Sequence, residues 1–523
     1  MTFRARRLIR RTGPGAVVLA AALAFAGCST ATHAGTARQS PPASPGASAP
    51  NPAGAPPTTL AQYYSQKLRW TPCSKHFQCS RMWVPFDYHR PDWRRFSLPV
   101  IKLAASNPRQ RMGSLVVNPG GPGGSGVSYA LQASSQVSPA VRARFDVVGF
   151  DPRGVGQSVP AISCLSGPQL DQYFATNDSP ANPAQVATVV AESKRFVQGC
   201  EQRSGPLLPY VSTANAARDM DVLRALLGDQ KLTYLGKSYG TYLGAWYAQL
   251  FPTHVRALVL DGAVNPAQSA MAMNATQAQG FEVALRSFTA NCLQQAGCPL
   301  GRGPVSAAIG RLQALVNRAT AKPLASSIKG QPGNGAMLMN GVAAALYSKS
   351  YWPYLRSGLT AAFSGDGTIM VELGDLLVER SPNGQYSNLS AANTAVNCVD
   401  RPWPRSLPAW QSAAAAAAKS APQFGAQIVW GSLPCAYWPV KGTAVPALRA
   451  AGAPPILVVG TTRDPATPFH DAQVLAGELQ SGVLLAWNGD GHTAYRQGSS
   501  CVDSAVDSYL ISLRPPHNGT LCN

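Results

Sequence analysis

Two blocks of this chain alternate short, near-continuous apolar runs with stretches of helical periodicity. Trp83-Val84-Pro85-Phe86 and Phe96 to Leu103 read as early strands. Ser114 to Asn118 and Phe145 to Asp151 are apolar at almost every position, as expected of strands buried on both faces of a parallel sheet. A helical pattern follows Gly126, and another runs from Asp219 to Leu227. Lys231 to Tyr234 and Arg256 to Asp261 read as further strands, with Thr241 to Ala248 apolar at helical spacing between them. This alternation predicts an α/β, doubly wound and mostly parallel sheet. It breaks over 265–445, where Ala-, Gln- and Leu-rich segments predict helices near 272–291, 304–320, 335–348 and 368–380. It resumes with strands over 455–460 and 483–487 and a helix from about residue 470. The expectation is a core built from 59–264 and 446–523, interrupted by a helical lid over 265–445.

The first 58 residues follow another pattern. Arg4, Arg6, Arg7, Arg10 and Arg11 precede the short apolar run from Ala16 to Gly27. That run is too short to span a bilayer, so 1–28 reads as an export signal. Ala26-Gly27-Cys28 resembles the end of a bacterial lipobox, in which the cysteine carries lipid; Phe25 stands where lipoboxes carry an aliphatic residue. Residues 29–58 are almost entirely Ala, Ser, Thr, Pro and Gly, too polar and too small to offset the entropy of ordering. They read as a tether. Membrane contact is thus expected through lipid at Cys28, and the chain as an exported lipoprotein or secreted protein.

Composition narrows the function classes. The formal net charge is +20, yet no stretch interleaves basic and aromatic residues as a nucleic-acid face does. A basic surface facing an anionic envelope fits better. Of the eleven cysteines, Cys28 stands apart and ten are spread over the folded region. An even number fits five disulfides in an oxidising compartment. Composition leaves connectivity open; nearest-neighbour pairing along the chain gives Cys73–Cys79, Cys164–Cys200, Cys292–Cys298, Cys398–Cys435 and Cys501–Cys522. No C-x-x-C is present, so neither a metal nor another cofactor is expected.

The chemistry centres on Gly236-Lys237-Ser238-Tyr239-Gly240. A G-x-S-x-G between a strand and a helix is a nucleophile elbow, a sharp turn that exposes the serine hydroxyl. Ser238 then needs a base, and the base an orienting carboxylate, in the chain order Ser, acid, His. Asp464 and His492 follow the strands over 455–460 and 483–487, at the sheet ends where such folds build sites. Asp490 lies only two residues from His492 and cannot easily reach the far imidazole nitrogen. Of the seven histidines, His33, His76, His89, His254 and His517 are misplaced, and His470 opens a helix. An oxyanion hole needs two backbone N–H groups. Tyr239 supplies one by its position, and Gly121 the other, from the loop Asn118-Pro119-Gly120-Gly121-Pro122-Gly123-Gly124-Ser125-Gly126.

These residues together resemble the prolyl aminopeptidase-type serine peptidases. The likeness lies in Gly120-Gly121-Pro122-Gly123, in Asp151-Pro152-Arg153-Gly154-Val155-Gly156-Gln157-Ser158 and in Gly236-Lys237-Ser238-Tyr239-Gly240-Thr241. Asp464 to Thr467, Gly491-His492-Thr493 and Asn397-Cys398-Val399-Asp400 are similar to the tripeptidyl aminopeptidase branch. That branch includes actinobacterial secreted enzymes and an envelope-anchored mycobacterial serine hydrolase regarded as both peptidase and carboxylesterase. The resemblance spans about 60–523 and implies an α/β-hydrolase fold, release of tripeptide-like fragments from peptide N-termini, a supporting hydrogen bond from Thr467, and a lid that shapes the pocket. Acidic lid residues such as Glu372 or Asp375 could hold the substrate amine, though nothing in the sequence selects them. Lys237 stands where several relatives have an uncharged residue and is expected to tune the pocket. A carboxylesterase or lipase with the same triad is the rival expectation, and a non-catalytic envelope binding protein a remote one. Ser238 argues against epoxide hydrolases and dehalogenases, which need Asp there.

Overall fold

The computed structural model describes residue 52 and residues 55–523. The export signal, Cys28 and nearly all of the expected tether lie outside the described residues. Ten strands form one sheet among the described residues: β1 (Thr71–Ser74), β2 (Phe77–Pro85), β3 (Arg95–Leu103), β4 (Gly113–Asn118), β5 (Phe145–Phe150), β6 (Leu232–Lys237), β7 (Val255–Asp261), β8 (Ile456–Arg463), β9 (Gly482–Asp490) and β10 (Thr520–Cys522). Their spatial order is β1-β2-β3-β5-β4-β6-β7-β8-β9-β10. β1, β2, β3 and β5 pair antiparallel, and every pair from β5–β4 to β9–β10 is parallel. This is the α/β-hydrolase arrangement. The central strands β4, β5 and β6 are buried at every position, which is why their sequences read as unbroken apolar runs.

Alternate side chains of these strands feed two cores, one on each side of the sheet. Val116, Val148, Tyr234 and Leu258 pack on one face with Leu243 of the helix behind the elbow. Leu115, Val117, Val147, Leu235 and Val259 pack on the other with Tyr509 near the C-terminus.

β7 and β8 are neighbours in the sheet, so the chain between them leaves the sheet and returns. That excursion is helical. Ala270–Leu293, Val305–Ala321, Gly335–Leu346 and Thr368–Leu377 coincide with the helices expected from periodicity. Trp352–Phe363, Leu389–Asp400, Leu407–Ser420 and Gly425–Gly431 were not legible, nor was the 22-residue helix Pro183–Ser204 before β6. In three of these, proline occupies the first turn, where its missing N–H costs nothing and its sequence signal reads as a break. The excursion has a core of its own, including Leu285, Phe288, Leu312, Leu338, Leu355 and Met370. Helix Leu389–Asp400 instead turns Ala395, Val396 and Val399 into the core beside the sheet, joining the two bodies.

Ten cysteines form the disulfides Cys73–Cys79, Cys164–Cys200, Cys292–Cys298, Cys398–Cys435 and Cys501–Cys522. Such a framework belongs to an oxidising compartment and is consistent with export. Among the described residues, no helix is long and apolar enough to cross a membrane.

Candidate active site

Ser238 joins β6 to helix Tyr239–Leu250 with φ 56° and ψ −128°, a conformation sparsely populated by residues with a side chain. Two glycines make the turn fit. A Cβ on Gly236 would lie 2.3 Å from the Gly240 carbonyl oxygen, and one on Gly240 would lie 2.9 Å from Asn118 Oδ1. The Ser238 N–H donates to the Asp261 carbonyl at 2.9 Å. Its own carbonyl accepts from Thr241 N–H at 2.8 Å and from Thr241 Oγ1 at 2.7 Å.

β8 runs on to Arg463 and β9 to Asp490, so Asp464 and His492 stand closer to their strand ends than the apolar runs suggest. His492 Nδ1 lies 2.8 and 3.0 Å from the two Asp464 oxygens. A carboxylate can only accept, so the ring proton sits on Nδ1 and Nε2 presents a lone pair. Nε2 is buried and has no hydrogen-bond partner among the described residues. Asp464 is itself held by the N–H groups of Ala466 and Thr467, each at 2.9 Å, by Thr467 Oγ1 at 3.1 Å and by Thr493 N–H at 3.0 Å. The histidine backbone donates to the Tyr347 carbonyl at 2.8 Å, and its ring meets the Tyr347 ring edge-on with centroids 5.2 Å apart. Gly262 leaves room for the imidazole, since a Cβ there would lie 3.2 Å from His492 Cε1.

The glycine-rich loop after β4 reaches the elbow through Gly120. A Cβ on Gly120 would fall 2.5 Å from the Lys237 carbonyl oxygen, 2.8 Å from Ser238 Cβ and 3.0 Å from Tyr239 N. Gly121 follows at φ 112°. Asn118 Oδ1 accepts from Gly120 N–H at 2.9 Å, and Asp151 Oδ1 accepts from Ser125 Oγ at 2.6 Å and Val127 N–H at 3.1 Å. The loop is therefore held at both ends. Tyr239 opens its helix, so its N–H lies in the first turn, where helix N–H groups have no intrahelical acceptor.

Other residues lie elsewhere than expected. Lys237 does not face a pocket: it is buried and its Nζ donates to the Tyr495 carbonyl at 2.9 Å. Asp375 is occupied by Arg380 at 3.3 Å, and Glu372 is exposed. Asp490 turns to Arg463 at 2.6 Å rather than to the histidine, and His470 is exposed on helix Phe469–Glu478.

Glu379 is exposed, as Glu372 is, but hydrogen bonds through Ser387 link it to Leu389 beside the glycine-rich loop. Its φ is 51°, and its carboxylate accepts from Ser387 Oγ. Ser387 Oγ in turn accepts from Leu389 N–H at 3.1 Å. Leu389 packs on the glycine-rich loop, its Cδ1 3.4 Å from where a Gly121 Cβ would stand. No periodicity or motif marks Glu379; only the strained backbone and the return of the chain at Leu389 do.

A family model described as TAP-like protein matches residues 421–522. The chain is 39% identical over 479 residues to Serine protease Hip1 of Mycobacterium tuberculosis, covering 87% of this chain and 91% of that protein. It is 38% identical over 491 residues to Carboxylesterase B of the same species, covering 90% and 92%. It is 32% identical over 469 residues to a tripeptidyl aminopeptidase of Streptomyces lividans, covering 87% and 86%.

Proposed function

Because the chain belongs to the tripeptidyl aminopeptidase branch of the α/β-hydrolase serine peptidases, we propose that it releases short, tripeptide-like fragments from peptide N-termini by acyl transfer. The observation that carries this reading is the pair Asp464–His492, with Nε2 buried and unpartnered among the described residues, together with the strained elbow at Ser238 on which the glycine-rich loop presses. Ser238 Oγ attacks the scissile carbonyl and His492 Nε2 takes its proton. Asp464 holds the ring and stabilises the imidazolium, and Thr467 steadies Asp464. The N–H groups of Gly121 and Tyr239 bind the oxyanion at the start of a helix, where its dipole favours negative charge. His492 returns the proton to the leaving amine. Water then attacks the acyl-enzyme by the same route.

An aminopeptidase needs an anion for the substrate ammonium. Glu379 fills that role in this reading, its carboxylate joined through Ser387 to Leu389, which packs on the glycine-rich loop, while the helical insertion acts as the lid that limits entry to chain ends. Lipid at Cys28 anchors the enzyme to the membrane; loss of detergent-phase partitioning in Cys28→Ala tests this, and unchanged partitioning refutes it.

A carboxylesterase is the second reading, favoured by the 38% identity to Carboxylesterase B. Fluorophosphonate labelling of wild type, Ser238→Ala and His492→Ala, followed by tripeptidyl anilides beside short acyl esters, separates the two. Labelling lost in both variants with the tripeptide cleaved fastest supports the peptidase. Labelling with turnover of esters alone moves the function to esterase. An unlabelled, folded wild type refutes both.

A further inference from the structure

We infer that Lys237 and Asp261 form a latch that fixes the His492 loop against the nucleophile elbow, making Lys237 a positioning residue of the hydrolase. The inference rests on Ser238 and His492 being nucleophile and base. Lys237 and Asp261 are register partners at the carboxyl ends of the adjacent strands β6 and β7. The Ser238 N–H donates to the Asp261 carbonyl at 2.9 Å, so the nucleophile's backbone is tied to the same aspartate.

The aspartate side chain reaches across to the histidine loop. Its Oδ1 accepts from Ala494 N–H at 2.8 Å and its Oδ2 from Tyr495 N–H at 3.0 Å. Lys237 Nζ donates to the Tyr495 carbonyl at 2.9 Å. Tyr495 is thus gripped at its N–H by an anion and at its C=O by a cation. Thr461 Oγ1 adds a bond to the Thr493 carbonyl at 3.1 Å.

The loop needs such a grip. Gly491, Thr493 and Arg496 have φ of 107°, 67° and 65°, and Thr493 is β-branched. Backbone in this region persists only where its surroundings over-determine it. The strained Thr493 follows His492 directly, so relaxation of the loop would shift the ring. A space-filling role does not account for a lysine here. Lys237 is 5% and Asp261 0% exposed, and burying an ammonium is costly unless it is compensated. The compensation comes from Asp261 and the Tyr495 carbonyl, and burial still draws the Lys237 ammonium below its usual range. An uncharged residue at 237 would leave Asp261 a buried anion without its counter-charge.

The test compares wild type with Lys237→Met, counting active sites by fluorophosphonate titration and using whichever anilide or ester wild type turns over fastest. Titration separates a smaller folded fraction from a slower site. A misplaced histidine is expected to lower kcat per titrated site by at least about tenfold with KM within about twofold. Wild-type kcat per site in a folded Lys237→Met overturns the latch alone; an unlabelled wild type overturns the serine-hydrolase reading and the latch with it. If Lys237→Met does not fold, Lys237→Gln carries the comparison. It keeps a donor at a shifted position and is expected to show the same split at about threefold, an unchanged kcat per site again overturning the latch.

Discussion

Asp464 meets His492 with both carboxylate oxygens, at 2.8 and 3.0 Å from Nδ1, while four further donors hold the carboxylate in place. An amide at 464 would present an N–H where the ring N–H now donates and would favour the wrong tautomer. Asp464→Asn is expected to lower kcat by about 10⁴-fold with the fold intact. Thr467→Ala removes one donor to a charged acceptor and is expected to cost about tenfold. Steady-state kinetics on titrated enzyme checks both.

Gly120 is the point at which the glycine-rich loop touches the elbow. Gly120→Ala places a methyl 2.5 Å from the Lys237 carbonyl at φ 97°, so loop or elbow must shift. Labelling by a fluorophosphonate is expected to slow by about 100-fold. Gly365→Ala is the control: its φ is 98°, but nothing lies within 4 Å. It carries the backbone strain without the clash, and labelling should proceed at the wild-type rate.

Asp471 gives the stability a pH dependence. It is 4% exposed, and burial, aided by the nearby Asp464 charge, pushes its carboxyl up to about 7 from 3.8. Between those values the folded state binds more protons than the unfolded one, so the stabilising share of this group is lost as pH rises through 7. Asp471→Asn retains an acceptor for Gln268 and escapes the penalty. Relative to wild type it is expected to gain on the order of a few kcal/mol at pH 8 and little at pH 4. Denaturant titrations at the two pH values check the sign; equal differences at both refute it.

Glu379→Gln removes charge from the proposed amine anchor while keeping the shape that Ser387 binds. KM for peptides with a free N-terminus is expected to rise about tenfold, the size of one charge-assisted hydrogen bond. Turnover of acyl esters without an amine should not change. Parallel Michaelis curves for a tripeptidyl anilide and a short acyl ester make the comparison.

The Cys398–Cys435 bridge, with a sequence separation of 37, closes a loop between the helix that packs on the sheet core and the short helix Pro434–Tyr437. Replacing both cysteines with serine is expected to cost about 4 kcal/mol by loop-closure entropy. Chemical denaturation under non-reducing conditions measures it.

By itself, the sequence determined the elements whose signal is local. Central strands buried on both faces must be apolar throughout, so β4, β5, β7 and β8 were legible. A serine flanked by glycines between a strand and a helix left one way to build the turn at 238. Chain order then selected Asp464 and His492 without knowledge of any contact. Tertiary structure decided everything that depends on approach between distant segments. Gly120 rather than Gly121 presses on the elbow, Lys237 turns away from any pocket to Tyr495, and Asp261 reaches residues 233 and 234 positions later in the chain. Glu379 is linked through Ser387 to Leu389, which packs on the glycine-rich loop, while Asp375 is taken by Arg380. The physical reason is one of range. Periodicity and turn chemistry record how a residue meets its own segment, whereas a carboxylate's partner is set by which other segments the packed core brings within 3 Å.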